Sequence, residues 1–213
     1  MLDLDSPSVR NLLITEIRSG FLRYVHFGLP CSGWAAANRM NGGTRSKQYP
    51  EGGSKGFTHP RELIANRQGE YVTQLCFELV KSRAWFTIEN PYSSDFWRSK
   101  YYRQLADKVR IFEARIHQCA YGLRPPGFPD FCFCQKDTLV VSNIPDIVTL
   151  GKNCPGLSSG HQHVWAWGST KVGSKTVSLA KSAGHYPEAL CAAWAQIIRS
   201  QFQSDCPHSF KGW

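Results

Sequence analysis

Apolar residues recur along this chain at two periods, and the switches between them outline its elements. Ser6-Pro7 has the form of a helix start, with serine as N-cap and proline in the first turn. Val9, Leu12, Leu13 and Ile17 follow at helical spacing, and Gly20 supplies the stop. Tyr24-Val25-His26-Phe27 then reads as a short strand running into the turn Leu29-Pro30-Cys31-Ser32-Gly33-Trp34. Pro60 opens a long helix with an apolar face through Leu63, Ile64, Tyr71, Val72, Leu75, Cys76, Leu79 and Val80, weakened in the middle by Gly69. A strand over Ala84–Ile88 ends in Glu89-Asn90-Pro91, and Ser93 or Ser94 can cap a helix through Phe96, Trp97, Tyr101, Tyr102 and Leu105. Further strands are predicted around Ile116–Tyr121 and over Thr138–Ser142. A last helix starts at Tyr186-Pro187-Glu188, with Leu190, Cys191, Trp194, Ile197 and Ile198 on one face. Residues 123–136, Pro-rich, and 151–176, Gly-rich, are predicted to be irregular.

Strands alternating with helices predict an α/β fold with parallel strands, read as a single domain over 1–213. A helix that feeds the first strand implies an earlier strand, so the chain reads as starting inside a fold. In such sheets, ligands and catalytic groups collect beyond the carboxyl ends of the strands. Cys31 and Glu89 both fall there. A thiolate is a strong nucleophile, and a carboxyl group near it can hydrogen-bond and protonate a ring nitrogen. Together they form a nucleophile and acid pair suited to a nucleobase. A structural role for each is the plainer alternative.

Between residues 32 and 59 the chain is polar, Gly-rich and basic, and loops of that length tend to be lids or binding loops. Arg39, Arg45, Lys47 and Lys55 stud it and suit phosphate contacts; a disordered insertion is the alternative. Trp34 can stack on a base or wedge the loop onto a helix. The net charge of +9 favours a polyanionic partner, most simply nucleic acid. No run approaches the ~18 apolar residues of a membrane span, and Met1-Leu2-Asp3-Leu4-Asp5 has no signal-peptide character. The expected setting is intracellular, and nuclear if the chain acts on DNA. There the 8 cysteines stay reduced and are free for metal binding, chemistry or packing. Cys154, His161 and His163 have donor types suited to tetrahedral zinc, with Cys119, Cys132 or Cys134 able to complete the set. In a strand, His161 and His163 point to one face. Surface or packing roles are the alternative.

Leu29-Pro30-Cys31 and Ile88-Glu89-Asn90-Pro91, with a helix between them, resemble the core of DNA cytosine-5 methyltransferases. A second pattern spans much of the chain: His117-Gln118-Cys119-Ala120-Tyr121-Gly122, Lys136-Asp137-Thr138, Cys154, His161-Gln162-His163 and Tyr186-Pro187. It is similar to methyltransferase-like domains carried by eukaryotic retroelements. The resemblance implies a Rossmann-like methyltransferase sheet, S-adenosylmethionine as donor and a flipped-out cytosine as acceptor. Cys31 would add to C6 of the base, Glu89 would contact N3 and the exocyclic amine, and Pro30 and Asn90 would border the cofactor. The basic loop would lie beside DNA. The resemblance is partial: the Gly-rich loop of the cofactor half would precede residue 1. The alternative is a non-catalytic nucleic-acid-binding module or a remnant of a mobile element.

Overall fold

The computed structural model describes residues 6–158 and 160–204. The first helix, α1, covers Pro7–Arg18, with Ser6 as N-cap and Gly20 in the left-handed region at φ 78°. Strand β1, Tyr24–Gly28, follows, and the chain then winds through 3-10 turns at Cys31–Gly33 and Ala36–Asn41. Helix α2 spans Pro60–Lys81 and opens on a capping box. The His59 ring accepts from the Arg61 N–H, while the Glu62 carboxylate accepts from the His59 N–H at 3.1 Å. Strand β2, Trp85–Pro91, is buried along almost its whole length. Ser94 caps only a 3-10 turn over Asp95–Arg98, and Ser99 caps the α-helix proper, α3, at Lys100–Lys108.

Strand β3 runs over Phe112–His117, earlier than the expected Ile116–Tyr121. The residues Gln118–Tyr121 curl into a 3-10 turn, closed by Gly122 at φ 84°. The two segments expected to be irregular both contain strands. They are β4 at Cys132–Gln135, β6 at Gln162–Trp165 and, in part, the antiparallel hairpin β7–β8 at Ser169–Val172 and Lys175–Ser178. Between them lies β5, Asp137–Ser142. A short helix α4, Leu179–Ser182, precedes the final helix α5, Glu188–Ser204.

The result is a mixed α/β fold whose main sheet has the order β1-β2-β5-β3 and is mixed rather than all-parallel. The chain divides into two compact units, one formed by residues 1–113 and 139–145, the other by 114–138 and 146–213. In the first, Val72, Leu75, Cys76 and Leu79 of α2 pack with Phe86 and Ile88 of β2, Leu105 of α3 and Val141 of β5. Each such large side chain, wholly buried, stabilises by about 1.5–3 kcal/mol. In the second, the parallel pair β4–β6 puts Phe133 opposite His163. No helix among the described residues is long and apolar enough to cross a membrane.

A candidate active-site turn and a metal centre

Strands β1 and β2 are adjacent and parallel, and their register sets Gly28 opposite Glu89. Both chains therefore leave the sheet at the same level and in the same direction. Cys31 opens the 3-10 turn just beyond β1, with its side chain exposed, whereas Glu89 is 8% exposed. Asn90 is fully buried and donates from Nδ2 to the Leu29 carbonyl at 3.0 Å, so the end of β2 grips the turn before Cys31. The N–H groups of Trp34 and Ala35 donate to the Cys31 carbonyl at 2.9 and 2.8 Å and close it. Pro30 is exposed at the bend.

Trp34 wedges rather than stacks on a base. It is wholly buried, edge-on to Phe96 at 5.3 Å and to Tyr101 at 6.4 Å. Over its face lies the guanidinium of Arg45, 3.7 Å from the ring centroid. Arg45 was expected to reach phosphate and is instead 2% exposed. Its Nε donates to the Gly33 carbonyl at 2.8 Å, Nη1 to the Pro50 carbonyl, and Nη2 to the Glu62 carbonyl and Asn66 Oδ1 at 3.2 and 3.0 Å. Burial lowers its pKa to about 10, against the opposing fields of Glu62 and Asp95, so it stays charged at neutral pH.

Glu62 is the second pillar of the loop. Its carboxylate accepts from the Thr44 N–H at 2.7 Å, Thr44 Oγ1 at 2.5 Å and the Arg45 N–H at 3.0 Å, besides capping α2. Burial would raise its pKa, but these hydrogen bonds outweigh it and hold the group below the usual carboxylate range. The segment 32–59 is thus folded around one buried cation and one buried anion. Arg39 is half exposed and pairs with buried Asp95 at 3.3 Å, while Lys47 and Lys55 stand exposed on its surface. A glutamate at the third helical position after His59-Pro60 was a sequence signal for capping α2 but not for gripping the loop; nothing in the pattern distinguished Arg45 from its basic neighbours.

The second cluster lies within the other unit. Cys119 of the 3-10 turn after β3, Cys154 of a loop, and His161 and His163 around the start of β6 bring their donor atoms within 4.8 Å of one another. Cys154 Sγ is 3.5 Å from His161 Nε2 and 3.3 Å from His163 Nε2, and the two Nε2 atoms are 3.1 Å apart. This buried Cys2His2 set can hold a metal such as zinc. Cys132 and Cys134 are buried on β4 outside it. Burial, the hydrogen bond to Cys154 and its charge push the Cys119 thiol up to about 12. Burial, with His161 and His117 nearby, lowers the pKa of His163 and favours the neutral, metal-ligating imidazole.

Comparisons with protein-family models, curated proteins and solved structures return no match. Of the residues offered for S-adenosylmethionine, Pro30 is exposed at the bend, and buried Asn90 gives one amide N–H to the Leu29 carbonyl while its Oδ1 has no hydrogen-bond partner. Among the described residues no strand runs into a glycine-rich turn that opens a helix.

Proposed function

We propose that the first unit presents the acceptor side of a cytosine-5 methyltransferase-like site, acting on a pyrimidine of DNA through Cys31 and Glu89. The observation that supports this reading is the parallel register of Gly28 with Glu89, locked by the Asn90–Leu29 hydrogen bond. It sets an exposed thiol and a largely buried carboxyl group at neighbouring strand ends, where base and catalytic groups would meet. In the proposed step the Cys31 sulfur, as thiolate, bonds to C6 of the base. The C5=C6 and N3=C4 electron pairs shift to leave a C4=C5 double bond, and N3 takes a proton from the Glu89 carboxyl group. That addition needs no oxidant and no second substrate. Methyl transfer from a donor is assigned to no residue of this chain.

A DNA oligonucleotide in which 2-pyrimidinone replaces one cytosine tests the step, because that ring adds a thiolate at C6 without methylation. The full chain should form a covalent adduct, resolved by denaturing gel and mapped by peptide mass spectrometry to Cys31. Cys31→Ala should abolish it, and Glu89→Gln should slow it by about 10²–10⁴-fold, the usual worth of a positioned acid. No adduct, or one on another cysteine, refutes the reading.

A second reading, a non-catalytic nucleic-acid-binding module, draws on the surface of the basic loop. There Lys47 and Lys55 are exposed beside residues of stacking type, Tyr49 and Phe57, which are 52% and 55% exposed. It requires binding to the same oligonucleotide that falls steeply with salt and is unchanged in Cys31→Ala. Binding insensitive to salt refutes it.

A further inference from the structure

We propose that Cys119, Cys154, His161 and His163 bind one zinc ion in a closed tetrahedral site that staples the second unit together. The argument is independent of the role of Cys31. Tetrahedral zinc with bonds of about 2.3 Å to sulfur and about 2.0–2.1 Å to nitrogen requires edges of about 3.3 Å between nitrogens and about 3.6 Å between sulfur and nitrogen. The corresponding separations here are 3.1 Å, and 3.3 and 3.5 Å. Cys154, His161 and His163 thus stand close to the spacing of a metal shell, with Cys119 Sγ within 4.8 Å of each, and the four belong to three separate stretches of chain. Two thiolates and two imidazoles fill the shell, leave no position for water or substrate, and select zinc over harder cations. A closed shell reads as structural rather than catalytic.

The surroundings are those of a built site. The Gly156 N–H points at Cys154 Sγ from 3.3 Å, a contact that stabilises a thiolate. Phe133 stacks on His161 with ring centroids 4.4 Å apart and planes 12° from parallel, which fixes the imidazole. His117 Nδ1 accepts from the Cys154 N–H at 2.8 Å and so positions the loop that carries the sulfur. Its Nε2 lies 3.8 Å from Asp137 Oδ1, and Arg115 holds the same carboxylate at 2.7 Å. The Ser158 and His161 backbones exchange N–H to carbonyl bonds at 3.0 and 3.2 Å, the tight reversal that brings Cys154 and the histidines together.

The strands of the second unit are short, and a metal staple would add to the burial that Ile147, Leu150 and Leu190 supply. The pair β4–β6 is 4 residues long on each side, and β6 exposes both its ends. The hairpin β7–β8 has no buried residue. Two-stranded pieces of this size are at best marginal in water. A structural zinc supplies folding free energy directly, since the unfolded chain offers no preformed shell.

Purified full-length chain should contain one zinc per molecule, and cobalt(II) in its place should show tetrahedral ligand-field bands and thiolate charge-transfer absorption. Cys154→Ser should lose the metal, and Cys191→Ser, outside the cluster, should retain it. If Cys154→Ser fails to fold, His163→Cys keeps four ligands; it should bind zinc and raise the thiolate charge-transfer intensity of the cobalt form. His117→Ala, which removes a positioning residue, should weaken zinc affinity by about 10–100-fold. Stoichiometric iron, failure of the metal-free chain to take up zinc or cobalt, or unchanged cobalt spectra in His163→Cys overturns the proposal.

Discussion

Truncating Arg45 distinguishes a folded basic loop from an open one. In Arg45→Ala the carbonyls of Gly33, Pro50 and Glu62 and the Asn66 amide oxygen lose their shared donor, and Trp34 loses the cation over its face. One hydrogen bond to a charged group is worth about 1.5–3 kcal/mol, and a desolvated cation–π contact up to about 2 kcal/mol. These terms are not additive, and the energy of burying the charge is recovered on its removal. Each buried acceptor left without a donor costs about 1–3 kcal/mol, so a net loss of about 3–5 kcal/mol is the size of effect expected here. With a urea slope of about 2–3 kcal/mol per molar, the unfolding midpoint followed by circular dichroism should drop by about 1–2.5 M. Arg45→Lys should fall between, because an ammonium cannot serve four acceptors arranged around a planar fork. Lys47→Ala, on the same loop but exposed, should stay within about 0.5 kcal/mol of the parent. If Arg45→Ala is equally silent and instead weakens nucleic-acid binding, the guanidinium faces phosphate and the account of the loop is wrong.

The anion partner gives a pH signature. Glu62 titrates below the usual carboxylate range in the folded chain, so its contribution is fully present above the unfolded value of about 4.3 and is lost as pH falls through the folded pKa. Glu62→Gln should cost about 1.5–3 kcal/mol at neutral pH, and the gap from the parent should close in acid. A gap that widens in acid contradicts the assigned direction. Gly33 probes the seating of the Pro-Cys turn on α2: an added Cβ would lie 2.4 Å from Ala65 Cβ. Gly33→Ala should therefore destabilise by about 1–3 kcal/mol through overpacking, measured by thermal melting; an unchanged melt would mean the turn sits further from the helix.

Strong local signals carried the elements of the first unit. Ser6-Pro7, the long apolar face after Pro60, and the run into Glu89 gave α1, α2 and β2 nearly in place, because periodicity and capping are written within a few residues. The Pro-Cys and Glu-Asn strand ends were legible for the same reason. What escaped depends on contacts distant in sequence. The strands β4 and β6 are too short to show a period, and they pair across the chain through residues 132–135 and 162–165. Arg45 and Trp34 carry residue types that suit nucleic acid equally well, and only their partners, Gly33, Asn66 and Phe96 among them, place them inside. The candidate metal cluster was legible from Cys154-x6-His161-x-His163, whereas choosing Cys119 over Cys132 and Cys134 required knowing which turn faces the loop.

The two sites make opposite demands on cysteine, and thiol labelling reads both in one experiment. A nucleophile must be reachable, whereas structural zinc ligands must be shielded and must exchange their protons for metal. Among the described residues, Cys31 and Cys191 are exposed, Cys154 is intermediate, and Cys76, Cys119, Cys132 and Cys134 are buried. Burial pushes the thiols of Cys76, Cys119 and Cys134 up, which further lowers their thiolate fraction. Alkylation of the metal-free chain with N-ethylmaleimide, quenched over time and mapped by peptide mass spectrometry, should therefore reach Cys31 and Cys191 first among these seven. Cys154 should follow, and Cys76, fully enclosed on the buried face of α2, should be last. Adding zinc before the reagent should protect Cys154 and Cys119 and leave Cys31 and Cys191 unchanged. Zinc protection of Cys31 would mean that the supposed nucleophile is a metal ligand, and Cys119 labelling as fast as Cys31 would mean that the buried shell does not hold together in solution. Either result would refute the division of labour among these cysteines.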